Sequence, residues 1–420
     1  MDPKVTVLDN GMRVVSDPMP QLETIAIGLW VNAGCRHERR EENGIAHMLE
    51  HMAFKGTERR DARAIAEDIE SVGGYLNAHT GHSQTAYHAR LLKQDLELGI
   101  ELLSDIVLHS TFETKELERE RGVILQEIGC ALDTPDDVIF DHLQATAYPD
   151  QPLGRPILGT AESVAALGRD DLHGFMARNY LGPAMTFAAS GAVDHDAVCA
   201  LCAEYFTGLP RPNGAGRAEP TRYSGGEFRE TKPLEQVHLA LAFEGPPVTD
   251  DDHYLAWSFA EVLGGGMSSR LFQEVREKRG LAYSVFSCAR GYEDTGLLTI
   301  YAGTGPESAA DLIPVILGEI EKVGRDAGEE EVARVRALIK SGILMGMESP
   351  ANRCEVAASM LHHYGRILSP EEIIARVEAV DAGAVRAYAE RLLKQGNPAV
   401  AALGPIDGIE PLERIEARLG

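Results

Sequence analysis

The sequence predicts an α+β fold in which two homologous α/β lobes arise from an internal duplication. The chain has 420 residues, which is too long for a single hydrophobic core. Its composition, with 44% hydrophobic and 25% charged residues, is that of an ordinary globular protein. Similar strand and helix patterns then recur at an offset of about 210 residues.

The duplication is clearest in the segments predicted to be strands. Thr24–Val31 (TIAIGLWV) parallels residues 236–243 (QVHLALAF), and Thr85–Leu92 parallels residues 295–302. A third pair of strand-like segments ends at Asp194 in the first half and at Asp407 in the second. We therefore expect a first lobe over 1–208 and a second over 228–420, with 209–227 as a linker rich in proline, glycine and charge.

Charge and hydropathy exclude several classes of protein. A formal net charge of -25 disfavours a nucleic-acid binder, because such proteins present basic surface to phosphates. No segment approaches the roughly 20 apolar residues needed to cross a bilayer, so no membrane partner is expected. The start of the chain predicts a hairpin that turns at Asn10-Gly11 rather than a signal peptide, and six scattered cysteines favour reduced thiols. The expected location is cytoplasmic.

The densest chemistry lies in residues 44–54, GIAHMLEHMAF, which have an apolar helical pattern. On a helix, His47 and His51 are four residues apart and differ by about 40° around the axis, so both imidazoles can face one metal ion. Glu50 lies on a neighbouring part of that face. Zinc lowers the pKa of a bound water to about 7, but attack on a peptide carbonyl still needs a proton acceptor, which Glu50 can supply.

The order H-x-x-E-H is found in metallopeptidases, although the same residues also occur on solvated helices. Apolar neighbours leave little exposed surface around the motif, which favours a buried site with partners. A second helix, predicted over residues 115–128, carries Glu120 and Glu127 seven residues apart on one face. One of them can complete the zinc shell, and for Glu120 a plain surface charge is the alternative.

With these motifs together, the chain resembles the pitrilysin-type inverzincin metallopeptidases, and within them the processing peptidases and their bacterial relatives. The resemblance depends on H-x-x-E-H, on the glutamate of a V-I-L-Q-E-I segment 76 residues after His51, on Leu8-Asp9-Asn10-Gly11 and on the duplicated lobes. It extends over essentially the whole chain.

The resemblance implies the roles of the motif residues. His47, His51 and Glu127 would hold one Zn²⁺ per chain, with Glu50 as the general base and Glu120 as a carboxylate that orients the site. The second lobe has no histidine in the segment that corresponds to the motif, so only the first lobe is expected to bind zinc.

Substrate contacts are also implied by the resemblance. Residues 75–80 would be an exposed edge strand to which a peptide adds through backbone hydrogen bonds, with Asn77 and Ala78 flanking the scissile bond. Phe54 would line a substrate pocket, with core packing as the alternative. Arg276 and Tyr283 match a family element in which arginine binds a substrate carbonyl and tyrosine stabilises the oxyanion, although the residues alone favour a solvated helix end.

The expected function is hydrolysis of short or unfolded polypeptides by a zinc endopeptidase. Related chains of this size enclose a peptidase chamber on dimerisation, either as homodimers or as heterodimers with a metal-free paralogue. Since this chain carries both the zinc motif and the arginine-tyrosine element, a homodimer is favoured. The alternative is a non-catalytic core subunit of a larger complex, as some relatives of the processing peptidases are.

Overall fold

A computed structural model describes residues 3–210 and 219–419 of the chain. The strands are β1 (Lys4–Val7), β2 (Arg13–Pro18), β3 (Thr24–Val31), β4 (Tyr75–Thr80), β5 (Thr85–Leu92), β6 (Met185–Gly191), β7 (Gly226–Thr231), β8 (Val237–Gly245), β9 (Ala282–Gly291), β10 (Gly296–Thr304) and β11 (Ala399–Gly404).

The α-helices of the first half are α1 (Ile45–Ala53), α2 (Ala62–Ser71), α3 (Leu96–Leu108), α4 (Thr114–Leu132), α5 (Pro135–Ala147), α6 (Ala161–Ala166), α7 (Arg169–Asn179) and α8 (His195–Tyr205). Those of the second half are α9 (His253–Gly264), α10 (Ala309–Asp326), α11 (Glu329–Gly346), α12 (Pro350–Tyr364), α13 (Pro370–Glu378), α14 (Ala382–Gln395) and α15 (Leu412–Leu419).

The chain forms two compact units, and neither is continuous in sequence. The first contains the described residues of Met1–Cys130, Arg155–Glu219 and Met345–Ser369. The second contains those of Ala131–Gly154, Pro220–Leu344 and Pro370–Gly420. Relative to the linear halves of the sequence, each unit thus receives one segment from the other half. Much of the expected linker falls at positions 211–218, outside the described residues.

The first unit is built on a six-stranded sheet in the order β1-β2-β6-β3-β5-β4. β1 and β2 form the predicted hairpin, with Val5 opposite Val15 and the amide of Gly11 donating to Leu8 O (2.8 Å). Gly11 has a φ of +90°, a conformation that glycine adopts without steric cost. Helices α1, α2 and α3 pack their apolar residues against one face of this sheet.

The second unit repeats this architecture. Its five-stranded sheet has the order β7-β11-β8-β10-β9, so that β8, β10 and β11 take the places that β3, β5 and β6 take in the first sheet. The pairing types match as well, because β2 with β6 and β7 with β11 are parallel, whereas the remaining pairs of equivalent strands are antiparallel. The prediction of an α+β fold duplicated within one chain is confirmed.

The exchanged segments cover the second face of each sheet. In the first unit, α12 packs Ala357, Ala358 and Leu361 against small and aromatic residues of β2, β3 and β6. In the second unit, α5 packs against β7, β8 and β11 in the same manner. A helix from the opposite half of the sequence therefore completes the hydrophobic core of each sheet.

Helix α5 also carries a carboxyl group whose ionisation opposes folding. Burial, reinforced by the nearby charge of Asp137, raises the pKa of Asp141 to about 6. An unfolded aspartate titrates near pH 3.9, so this group favours the folded chain below about pH 4 and that contribution is lost as the pH rises through 6. We expect Asp141→Asn to raise the free energy of unfolding by about 1–2 kcal/mol at pH 8 and by less at pH 5.

Thermal denaturation at the two pH values measures this difference, with Asp133→Asn as the control, since Asp133 is an exposed residue of the same unit. An equal gain at both pH values would show that Asp141 does not titrate in this range.

None of the helices in the described ranges combines the length and the apolar character that a membrane span requires.

Candidate metal centre

The helix that carries the H-x-x-E-H motif begins at a position that only glycine can occupy. Gly44 is the N-cap of α1 with a φ of +93°, and a Cβ there would lie 2.7 Å from the carbonyl oxygen of Leu158. Its own side chain cannot cap the helix, and Glu38 does so instead. Glu38 is only 4% exposed and accepts hydrogen bonds from the amides of Gly44 and Ala46 (both 2.9 Å) and from Asn43 Nδ2 (2.8 Å). Glu38 therefore fixes the start of α1.

Three predicted ligands come together in the first unit. His47 and His51 lie one turn apart on α1, with ring centroids 4.6 Å apart, and Glu127 approaches from α4. Glu127 Oε2 is 3.7 Å from His47 Nε2 and 3.6 Å from His51 Nε2. Within the described residues, these three form the group whose donor atoms all lie close enough together to hold a metal ion.

The donor set fits zinc. Ligands about 2.0–2.2 Å from one ion at tetrahedral angles lie about 3.4 Å apart, close to the separations observed here. A direct hydrogen bond between imidazole and carboxylate would be shorter, near 2.7–3.2 Å. Burial, with a smaller contribution from His51, lowers the pKa of His47 to about 4, so its imidazole is neutral at pH 7. Neutral imidazole is the form that binds metals.

Glu120 contacts the His51 ring at Nδ1, whereas Glu127 faces Nε2 of the same ring. Glu120 is 3% exposed, and its carboxylate lies 3.0 Å from His51 Nδ1 and accepts a hydrogen bond from Lys55 Nζ at 2.8 Å. Burial raises the pKa of Glu120, but the hydrogen bonds and charges of Lys55 and His51 together outweigh this and lower it. An ionised Glu120 fixes the His51 tautomer with Nε2 free for a metal. The surface-charge alternative for Glu120 does not fit its burial.

Glu50 lies beside the ligands without belonging to the group. Burial raises its pKa despite a hydrogen bond from Thr80 Oγ1 to Glu50 Oε2 (2.5 Å), and the charges of His51 and Glu127 also act on it. A raised pKa makes the carboxylate a stronger base. Among the described residues, Thr80 donates to Oε2, and Oε1 accepts no hydrogen bond.

The predicted substrate-facing residues of the first unit lie at a free sheet edge. β4 pairs with β5 on one side and is the terminal strand of its sheet. Asn77 is exposed, donates to the Tyr75 hydroxyl (2.6 Å) and accepts from the amide of Ala78 (2.9 Å). Phe54 follows α1 directly and is partly buried against the core, as the core-packing alternative predicts.

Arg276 and Tyr283 contact each other in the second unit. Arg276 Nη1 donates to the backbone oxygen of Tyr283 (3.1 Å), and its guanidinium lies 4.4 Å from the centre of the Tyr283 ring. Arg276 belongs to a π-helical segment, Phe272–Lys278, and such segments are frequent at functional sites. The Tyr283 side chain is 75% exposed. Arg276 thus lies on the helical segment, Tyr283 lies on β9, and the contact between them was not predicted from the sequence.

Three residues of the site were not found from the sequence. Lys55 lies just beyond the end of α1 and pairs with Glu120, so the helical spacing of the motif gave no signal for it. Thr80 sits at the end of β4, where the alternating pattern points it to the same side as Ala78. Glu38 lies in a loop without periodicity, and nothing in the sequence pointed to its capping role.

The contact between Glu120 and His51 gives a testable expectation. Glu120→Gln would remove the charge that holds the His51 ring, and such changes typically lower metal affinity by about 10- to 100-fold. Competition with a chromogenic chelator measures this affinity. Glu118→Gln is the matched control, because Glu118 lies on the same helix but pairs with Arg121 at the surface. Equal zinc affinity in the two variants would contradict the orienting role.

Comparison with known proteins agrees with this architecture. A model described as insulinase, peptidase family M16, matches residues 13–161, and one described as the peptidase M16 inactive domain matches residues 166–339. The chain belongs to peptidase family M16. The predicted resemblance to pitrilysin-type metallopeptidases is thereby confirmed.

Individual relatives cover nearly the whole chain. An uncharacterized zinc protease of Rickettsia felis is 37% identical over 404 residues, covering 96% of this chain and 98% of that protein. The mitochondrial-processing peptidase subunit beta of Mus musculus is 37% identical over 426 residues, covering 98% and 86%. The crystal structure of a protease from Helicobacter pylori matches with a TM-score of 0.89 at 22% identity, covering 96% and 99%, which shows the same fold. Family membership and these relatives support zinc-dependent peptidase activity.

Proposed function

We propose that this chain is a zinc metalloendopeptidase that hydrolyses short or unfolded polypeptides, with Glu50 as general base. The convergence of His47, His51 and Glu127, with the partly buried carboxylate of Glu50 beside them, is the observation that carries the proposal. Two lone-pair nitrogens and one carboxylate oxygen from the protein are the donor set of a catalytic rather than a structural zinc site, because structural sites use four protein ligands.

The metal, when bound, would polarise the substrate carbonyl and lower the pKa of a water molecule. The protein's own residues do the rest of the chemistry. Glu50 would accept the proton of the attacking water on Oε1 and pass it to the leaving amine nitrogen. Thr80 keeps the Glu50 carboxylate in place through its hydroxyl, and Glu120 keeps the His51 ring in place.

The free edge of β4 would bind the substrate as an added strand. Main-chain hydrogen bonds to β4 would align the peptide with little dependence on its side chains, with Asn77 and Ala78 flanking the scissile bond. The amide of Ala78, now bonded to the Asn77 side chain, would be available to a substrate carbonyl once that side chain rotates. Phe54 would contact a substrate side chain next to the scissile bond.

Arg276 and Tyr283 would act on the substrate carbonyl. A guanidinium donates to a carbonyl oxygen, and an exposed phenol can donate to the oxyanion as it forms. Their packing against each other supports a shared role. We also propose a cytoplasmic homodimer with one zinc ion per chain; a heterodimer with a metal-free chain is the alternative assembly.

Zinc removal tests this function. The purified chain is expected to hold one zinc ion and to cleave members of a panel of unfolded peptides. Treatment with a chelator should abolish cleavage, and one equivalent of Zn²⁺ should restore it, while Mg²⁺ should not, because nitrogen ligands disfavour that ion. A chain that binds zinc and cleaves no peptide would contradict the peptidase and favour a non-catalytic core subunit.

A further inference from the structure

Next to the free edge of β4, part of one face of the first sheet is not covered by any of the described helices. Helix α12 covers β2, β6 and β3 on this side, but the outward side chains of β4 and the end of β5 remain exposed. Along β4 these are Tyr75, Asn77 and His79, which we call the outer row. In an antiparallel pair, residues directly opposite each other project to the same face. Alternate side chains of a peptide added to β4 would therefore lie beside the outer row.

One end of the outer row carries an arginine without an anionic partner. Arg90 lies opposite Tyr75 in the β4–β5 pair, and its guanidinium lies 4.6 Å from the centre of the Tyr75 ring. Within residues 3–210 and 219–419, no carboxylate oxygen lies within 4.0 Å of its guanidinium nitrogens. Arg90 is exposed, so its charge is accessible to a ligand at this end of the outer row.

Arg90 and Tyr75 both line a cavity of about 400 Å³. Ser349, Pro350 and Ala351, the N-cap and first turn of the 15-residue helix α12, line the same cavity. A helix N-terminus carries a partial positive charge, so the helix and the guanidinium favour the same sign of ligand. Because the guanidinium lies over Tyr75, it leans from β5 towards the free edge where the peptide would pair.

We propose that Arg90, supported by Tyr75, is a specificity-determining residue that binds a carboxylate of the peptide substrate. The proposal rests on the peptidase function above and adds a subsite to it. The position of this carboxylate along the substrate follows from the spacing of residues on β4. Tyr75 is two residues from Asn77 and five from Thr80, the residue that contacts Glu50. Five residues of strand span about 17 Å. The carboxylate would belong to a residue two to five positions from the scissile bond, as an acidic side chain or as a terminal carboxylate.

A peptide scan tests the subsite. Glutamate is moved through six positions on each side of the cut in C-terminally amidated peptides, and a second series ends in a free carboxylate at each position. We expect one favoured position, at which KM is about three- to fivefold lower than for the alanine peptide while kcat is unchanged. Arg90→Gln should remove this preference, and Arg90→Glu should replace it by a preference for lysine. Either peptide series showing this pattern supports the proposal and identifies the source of the carboxylate.

Arg63→Gln is the matched control, because Arg63 is an exposed arginine of the same unit that pairs with Glu67 on α2. It should keep the wild-type preference. The preference of the wild type should also weaken as salt is added, since exposed charge pairs are screened.

Binding to Glu50→Gln, followed by fluorescence anisotropy, separates this proposal from the peptidase function. If the wild type cleaves no peptide but Glu50→Gln binds the glutamate peptide more tightly through Arg90, the subsite stands and the peptidase fails. If the wild type cleaves peptides while Arg90→Gln leaves every KM and every binding constant unchanged, the peptidase stands and the subsite is refuted.

Discussion

Glu50→Gln is expected to retain zinc and to lose turnover. The glutamine amide has nearly the shape of the carboxylate, and its oxygen can still accept the hydrogen bond from Thr80, so the fold around α1 should persist. What disappears is the ability to accept a proton. General base catalysis typically contributes about 10²- to 10⁴-fold, so kcat should fall by at least that factor with little change in KM.

Steady-state kinetics with an unfolded peptide, together with metal analysis of the same preparation, measures both quantities. Glu70→Gln is a suitable control because Glu70 is an exposed residue on α2 of the same unit. Full turnover in Glu50→Gln would remove Glu50 from the mechanism. Loss of zinc from that variant would instead place Glu50 among the ligands.

Glu38→Ala is expected to have the largest effect on stability. Glu38 is buried and accepts three hydrogen bonds, two of them from amides at the start of α1. Each buried donor left without an acceptor costs about 1–3 kcal/mol, so the variant should lose about 3–5 kcal/mol in the free energy of unfolding. Because the cap fixes the helix that carries His47 and His51, zinc affinity should fall as well.

Denaturant unfolding and zinc competition, measured on the same protein, separate the two effects. Glu38→Gln retains an acceptor oxygen and should recover part of the loss, whereas Glu41→Ala, at an exposed position nearby, should behave as the wild type. If Glu38→Ala unfolds at the wild-type denaturant concentration, the cap does not stabilise α1.

Local patterns were sufficient to predict the elements around the site. The apolar residues of 44–54 with three polar residues on adjoining positions predicted α1, and the spacing of Glu120 and Glu127 predicted that both could face it from α4. These inferences succeed because helical periodicity is contained within a few residues. The duplicated sheets were predictable for the same reason, since the strands of the two halves recur in the same order.

Contacts between distant segments were not predictable. The pattern of α12 shows that the segment is helical, but not that it covers the sheet of the first unit, because an apolar face fits either sheet. Glu38 caps α1 from a loop, and its pairing depends on the backbone positions of Gly44 and Ala46. Such contacts depend on how distant segments meet in the tertiary fold. The loop that contains Glu38 has no periodic pattern from which this meeting could be predicted.

The central claim is that His47, His51 and Glu127 hold one zinc ion beside Glu50. An anomalous difference map at the zinc absorption edge, from crystals of the zinc-loaded chain, tests this most directly. The account predicts one strong peak per chain, about 2.0–2.2 Å from Nε2 of both histidines and from a carboxylate oxygen of Glu127. A zinc peak elsewhere, or one that Glu127 does not contact, would contradict it.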